Sequence, residues 1–313
     1  MKIEVKNLSK YFGKTKAVDD LSFTFNSNEV MGFVGPNGAG KTTTMRIFAT
    51  LEEPTFGDIL LDGVSIIEEP EKAREKIGYV PDSLPLHNDI TVHEYLDFFA
   101  RAYGLKGEKR KKTVQQIEEF TNLTGIGDKT LQALSKGMKQ RVCLARSLVH
   151  DPDILIMDEP ASGLDPRARI ELRELLRILS SQGKAILISS HILAELSEIC
   201  TGAIIIEQGK LITAGSLEKL LTTKTDETKR AQKIIIRARG KEKELITWVL
   251  QLPFVEQAFQ IGEEIEIDVV GEDEILISLL SQLVKEEFPI SEFRKLRTDL
   301  ETVFMNLTKG EVQ

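Results

Sequence analysis

Apolar residues in the first 34 positions fall in short runs, Ile3 to Val5, Leu21 to Phe25 and Val30 to Val34, that predict β-strands. The third run leads into a glycine-rich turn, and a helical period follows from Lys41, so the local order is strand, loop, helix. Gly57 to Gly63 predicts a strand bracketed by turn signals, and Ile77 to Val80 predicts another that stops at Pro81. From Thr91 to about Val149 the spacing is mostly helical, with Tyr95, Leu96, Phe98 and Phe99 near helical register. Fully apolar runs return at Ile154 to Met157, Ala185 to Ile188 and Ala203 to Ile206, separated by helical stretches at Arg167 to Leu179 and Ile192 to Ile199. Such alternation predicts an α/β fold with a parallel sheet covered on both faces.

Near Thr222 to Lys229 the chain turns polar and loses its periodicity. The expected organisation is a first domain over 1–222 with a helical subdomain at about 90–150, a linker at 223–231, and an α+β accessory domain over 232–313. In the last region the order is strand (Ile234 to Arg237), helix (Glu242 to Leu250), strand (Val255 to Gln260), strand (Ile265 to Val269), helix (Ile275 to Glu286) and strand (Ser291 to Leu296), then a helix from Asp299. That βαββαβ order matches a ferredoxin-like module.

The length of 313 residues fits two domains. With 49 acidic against 41 basic residues the net charge is −8, which argues against a protein whose main task is wrapping nucleic acid. The basic run Lys106 to Lys112 has no stacking aromatics beside it and reads as a solvated turn and helix start. Cys143 and Cys200 form no disulfide framework and read as small buried fillers. His87, His93 and His150 lack metal-ligand spacing. The charged start does not fit a signal peptide, and no apolar run exceeds strand length, so work at a membrane would require docking to another polypeptide.

Gly35-Pro36-Asn37-Gly38-Ala39-Gly40-Lys41-Thr42, followed by Thr43, fits G-x-x-x-x-G-K-[ST] between a strand and a helix. Glycines let backbone N–H groups curl around phosphate, Lys41 reaches the β and γ phosphates, and Thr42 offers its hydroxyl to Mg²⁺. Ile154 to Met157 ends in Asp158 and Glu159, whose side chains leave the strand in different directions. One carboxylate can hold a metal's water shell while the other orients the attacking water. Ser135 in Leu134-Ser135-Lys136-Gly137-Met138 is an expected N-cap, and the basic residues in the turn it opens suit an anion there. A second phosphate cradle in a chain with one strong nucleotide loop suggests a nucleotide held by another copy or a homologous partner.

These motifs, in this order, resemble the nucleotide-binding subunits of ATP-binding cassette transporters over residues 1 to about 220. The resemblance implies a P-loop cassette with a mixed core sheet, an antiparallel β subdomain and a helical subdomain. It implies ATP and Mg²⁺ as ligands, Thr42 and Asp158 at the metal, Glu159 and the switch histidine His191 as catalytic groups, and Tyr11 as the adenine platform. Ser162-Gly163-Leu164-Asp165 is similar to the family's D-loop. A head-to-tail dimer is implied too, in which Ser135 and Gly137 of one cassette close over the nucleotide of the other.

Three features depart from the usual pattern. Asp82 stands where a glutamine is usual and is a candidate at the metal; the signature reads Leu-Ser-Lys-Gly-Met in place of Leu-Ser-Gly-Gly-Gln; and Asp299 to Phe304 resembles the C-terminal extension of the exporter-like single-cassette branch. The expected protein is an ATPase subunit, peripheral on the cytoplasmic face of the membrane, that powers a separate membrane-spanning permease, in the direction of export. Two other classes stay open at this point: a soluble cassette ATPase acting on ribosomes or nucleic acid, and a nucleotide-gated regulator with negligible turnover.

Overall fold

The computed structural model describes residues 1–83, 89–190, 196, 198–222, 231–271 and 273–296. The chain divides into two compact units, the first from Met1 to Leu220 and the second from Leu221 to Asp299. In chain order the first holds β1 (Lys2–Phe12), β2 (Thr15–Asn26), β3 (Val30–Val34), α1 (Lys41–Phe48), β4 (Phe56–Leu61), β5 (Val64–Ser65), α2 (Pro70–Lys76) and β6 (Ile77–Val80). It continues with α3 (Val92–Ala102), α4 (Gly107–Phe120), α5 (Lys136–Leu148), β7 (Ile154–Met157), α6 (Pro166–Ser181), β8 (Ala185–Ser190), β9 (Gly202–Glu207) and β10 (Lys210–Ser216).

β3 is buried at all five positions, so it needs strands on both sides and layers on both faces. It pairs in parallel with β8 and β9 at the middle of a six-stranded sheet ordered β10-β9-β3-β8-β7-β6. Only β10, at one edge, runs antiparallel to its neighbour. Alternation divides the side chains of β3: Met31 and Phe33 join the core formed with β1, β2, β4 and α1, while Val30 and Val34 join the core beneath α3, α5 and α6. The first of these layers is the four-stranded antiparallel sheet β2-β1-β4-β5. In the helical region, Thr91 and Glu94 form a capping box at the start of α3, satisfying two backbone N–H groups at once.

The second unit is a four-stranded antiparallel sheet of β11 (Ala231–Ala238), β12 (Val255–Ile261), β13 (Glu264–Val270) and β14 (Ile290–Lys295), ordered β12-β13-β11-β14. Helices Glu242–Val249 and Asp273–Lys285 supply Leu245, Val249, Leu276, Leu279 and Leu283 to the same core as Ile234, Ile236, Ile265 and Ile267. This strand order with two helices on one face is the ferredoxin-like arrangement. Residues 223–230 of the expected linker, most of the helix expected from Ile192, and the last helix from Asp299 lie outside the described residues. No helix among the described residues is long and apolar enough to cross a membrane.

Candidate nucleotide site

The loop from Gly35 to Gly40 leaves the C-terminal end of β3 and enters α1. Its glycines are required by geometry. Gly40 has φ +98°, and a Cβ there would stand 2.2 Å from the Ala17 carbonyl oxygen; at Gly35 it would stand 2.6 Å from that of Ile206. The backbone therefore lines the loop, with Asn37 and Gly38 exposed and Ala39 buried beneath them. No side chain caps α1 and no acid stands in its first turn, so the positive end of the helix is left to an anion. Thr42 is exposed on that turn, and Thr43 half-buried.

Lys41 is only 6% exposed. Its Nζ donates to the carbonyls of Gly35 at 2.8 Å and Pro36 at 3.1 Å, and lies 3.7 Å from Glu159 Oε1. Burial pulls its pKa below the ordinary lysine range, while Glu159 and Asp158 oppose that shift. Asp158, 3% exposed, anchors its N–H on the Val80 carbonyl at 2.9 Å, and its Oδ1 accepts from the Ser189 hydroxyl at 2.6 Å. The same hydroxyl accepts the Glu159 N–H at 2.9 Å. Glu159 itself has φ +47°, so the chain turns sharply out of β7 and brings the second carboxylate toward Lys41. Beside this cluster, burial first and the Asp158 charge second push the Tyr79 phenol up to about 12.

Ser135 caps α5 by accepting the Met138 N–H at 3.3 Å, and no acid stands in that helix's first turn. A Cβ on Gly137 would lie 3.3 Å from Ala168, and one on Gly163 only 2.5 Å from Lys136 Nζ, so the signature turn rests on α6 and the turn before it. Gly137 and Lys136 are thus gathered with Gly163 and Ala168. Asp82 is exposed just beyond β6, two residues from the carbonyl that holds Asp158. His191 and His87 lie outside the described residues.

Tyr11, the expected adenine platform, and Phe12 are the last two residues of β1. The Tyr11 hydroxyl donates to Asp19 at 2.8 Å, its ring meets Phe56 edge-on, and Lys16 Nζ sits 5.1 Å from the ring centroid. Phe12, on the opposite face of the strand, is 50% exposed. The remaining histidines are structural: His93 pairs with Glu118, and His150 stacks on Tyr103 while bonding the Ile77 carbonyl. Both cysteines are free and buried. Ser189 has a contact role that sequence reasoning passed over, since a serine ending an apolar strand carries no signal of its own.

A glycine loop between a buried strand and an uncapped helix, faced by a strand-end carboxylate, defines a P-loop nucleotide-binding domain. Residues 18–162 match the family model described as ABC transporter. The chain is 33% identical over 311 residues to Nod factor export ATP-binding protein I of Ralstonia nicotianae, covering 99% of this chain and 95% of that protein. It is 32% identical over 311 residues to linearmycin resistance ATP-binding protein LnrL of Bacillus subtilis, covering 98% of each. Among solved structures, an ATP-binding subunit of an ABC transporter aligns with TM-score 0.65 and 31% identity over 71% of this chain and 93% of that chain. The chain belongs to the ABC transporter family as an ATP-binding subunit, an ATPase that uses Mg²⁺ and is coupled to transport.

Proposed function

We propose that the loop from Gly35 to Thr43 cradles the phosphates of ATP, that Thr42 and Asp158 hold Mg²⁺, and that Glu159 orients the water that attacks the γ-phosphate. The observation that carries this reading is the convergence of Lys41, Asp158 and Glu159 at the mouth of one glycine loop whose backbone no Cβ could replace. The donor set suits Mg²⁺. Among the described residues no group of three or more His, Cys, Asp or Glu could hold a metal unaided, whereas Mg²⁺ is commonly bound by one or two protein oxygens together with substrate phosphates. The ion supplies charge neutralisation at the phosphates. Lys41 leaves its carbonyl partners for phosphate oxygens, and Glu159 holds the water's proton. Phe12, the more exposed of the two adjacent rings although Lys10 Nζ lies 5.0 Å from its centroid, is a better platform for adenine than Tyr11, whose hydroxyl is bonded to Asp19. Asp82 would act on the ion only through water, and His191 would complete the catalytic pair as the family resemblance implies.

The signature turn serves a second copy of the cassette, since it is opened by Ser135 with no acid in its first turn, as an anion would require, while this chain's phosphate loop already forms its own cradle. Two cassettes so arranged would each close over the other's nucleotide and drive a membrane-spanning permease from the cytoplasmic face. Export is favoured over import because relatives matching nearly the whole chain are named for Nod factor export and for linearmycin resistance. Action on ribosomes or nucleic acid has no comparable support. Glu159→Gln tests the site: nucleotide binding should persist while steady-state hydrolysis falls by about 10²- to 10⁴-fold, the usual effect of losing a general base. Wild-type turnover in that variant would remove Glu159 from the mechanism.

A further inference from the structure

Ser189 is fully buried near the end of β8. β7 and β8 pair in parallel with Met157 opposite Ile188, and continuing that register sets Asp158 opposite Ser189. A buried serine between apolar strands usually returns its hydroxyl to its own backbone or a neighbouring turn. This one instead spends both capacities on the residues that follow β7, donating to Asp158 Oδ1 at 2.6 Å and accepting the Glu159 N–H at 2.9 Å. The first bond fixes the direction of a buried carboxylate. The second pins a peptide that has just entered left-handed backbone, at φ +47°.

We infer that Ser189 is a positioning residue that sets the aim of both carboxylates at once, turning Asp158 toward Mg²⁺ and holding the sharp turn that presents Glu159 to the γ-phosphate. The inference rests on the site reading above and extends it. Serving both neighbours takes a strong donor and a strong acceptor on one atom, on a one-carbon stem; threonine meets that requirement, cysteine only weakly, and alanine not at all. Its effect is that of an outer-shell partner, whose removal costs roughly 10- to 100-fold in metal affinity or activity.

The test compares Ser189→Ala and Ser189→Thr with wild type in the full-length chain. Three quantities are read: the Mg²⁺ concentration that half-saturates binding of a non-hydrolysable ATP analogue, binding of that analogue without Mg²⁺, and kcat and KM for ATP. Ser189→Ala should raise the Mg²⁺ midpoint and lower kcat, each roughly 10- to 100-fold, with metal-free binding and KM close to wild type. Ser189→Thr should restore both. A wild-type Mg²⁺ midpoint and kcat in Ser189→Ala would overturn the inference, as would a parallel fall in metal-free binding or failure of threonine to restore. Should the alanine variant not fold, Ser189→Cys, with its weaker donor and acceptor, carries the same readings. Lys41→Ala and Glu159→Gln run alongside. If they too behave as wild type the site reading fails, and if only Ser189→Ala does, the inference fails alone.

Discussion

Glu159 adopts a backbone conformation that suits glycine better than glutamate. A non-glycine residue there carries about 1–2 kcal/mol of strain, while glycine costs roughly 0.5–1 kcal/mol in chain entropy. Glu159→Gly should therefore be as stable as wild type or more stable by up to about 1.5 kcal/mol in urea unfolding, yet lose ATP turnover. A marked loss of stability would show that the carboxylate supports the fold. The adenine platform is decided at the same scale. Tyr11 and Phe12 are adjacent aromatics on opposite faces of β1, and only knowledge of which face meets Asp19 and Phe56 makes Phe12 the more exposed ring, with Lys10 Nζ 5.0 Å from its centroid. Base stacking is worth about 1–3 kcal/mol, so Phe12→Ala should weaken ATP binding by roughly tenfold or more while leaving competition by inorganic triphosphate unchanged. Tyr11→Ala should bind ATP close to wild type. Loss of affinity in Tyr11→Ala with none in Phe12→Ala would reverse the assignment.

Among the elements, the turn joining β9 to β10 supports the phosphate loop. Gln208 and Gly209 both have positive φ, 49° and 77°, as a two-residue hairpin turn of this hand requires. The Gly209 N–H donates to the Ala39 carbonyl at 3.1 Å, and its own carbonyl accepts the Asp19 N–H at 2.8 Å. A Cβ on Gly209 would lie 2.9 Å from the Ala17 carbonyl oxygen. Gly209→Ala should thus lower both stability and nucleotide affinity. Gly183→Ala is the control: φ is +96° and its Cβ would meet nothing within 4 Å, so stability alone should fall, by about 1–2 kcal/mol. Equal nucleotide affinity in the two variants would deny the turn its role. The strands that build the central sheet were legible because full burial writes an unbroken apolar run, as in Ile154 to Met157. β10 was not, since an edge strand half-exposed along its length has no such run, and β5 and α2 are too short to establish a period. The phosphate loop was readable from its spacing, whereas Ser189 depends on register across two strands distant in sequence.

At the scale of the whole molecule, the proposed composite site makes a prediction no single subunit can satisfy. A mixture of Lys41→Ala and Ser135→Arg chains would form some dimers in which one site carries both lesions and the other carries neither. Some hydrolysis should return on mixing, although each variant alone is inactive. Ser135→Arg alone should still bind ATP. If mixing restores nothing, or if Ser135→Arg already fails to bind nucleotide as a monomer, the signature turn serves its own chain's loop. The strand order has a further consequence, for the growing polypeptide. β3 ends at the phosphate loop, but its partners are β8 and β9, with Val30 beside Ile186 and Met31 beside Gly202. Roughly 150 more residues must be synthesised before it gains a neighbour, on the order of ten to thirty seconds at usual translation rates. Through that interval a strand that is buried at all five positions in the folded cassette has no sheet to join, so the nascent chain is prone to aggregation before it can first bind nucleotide.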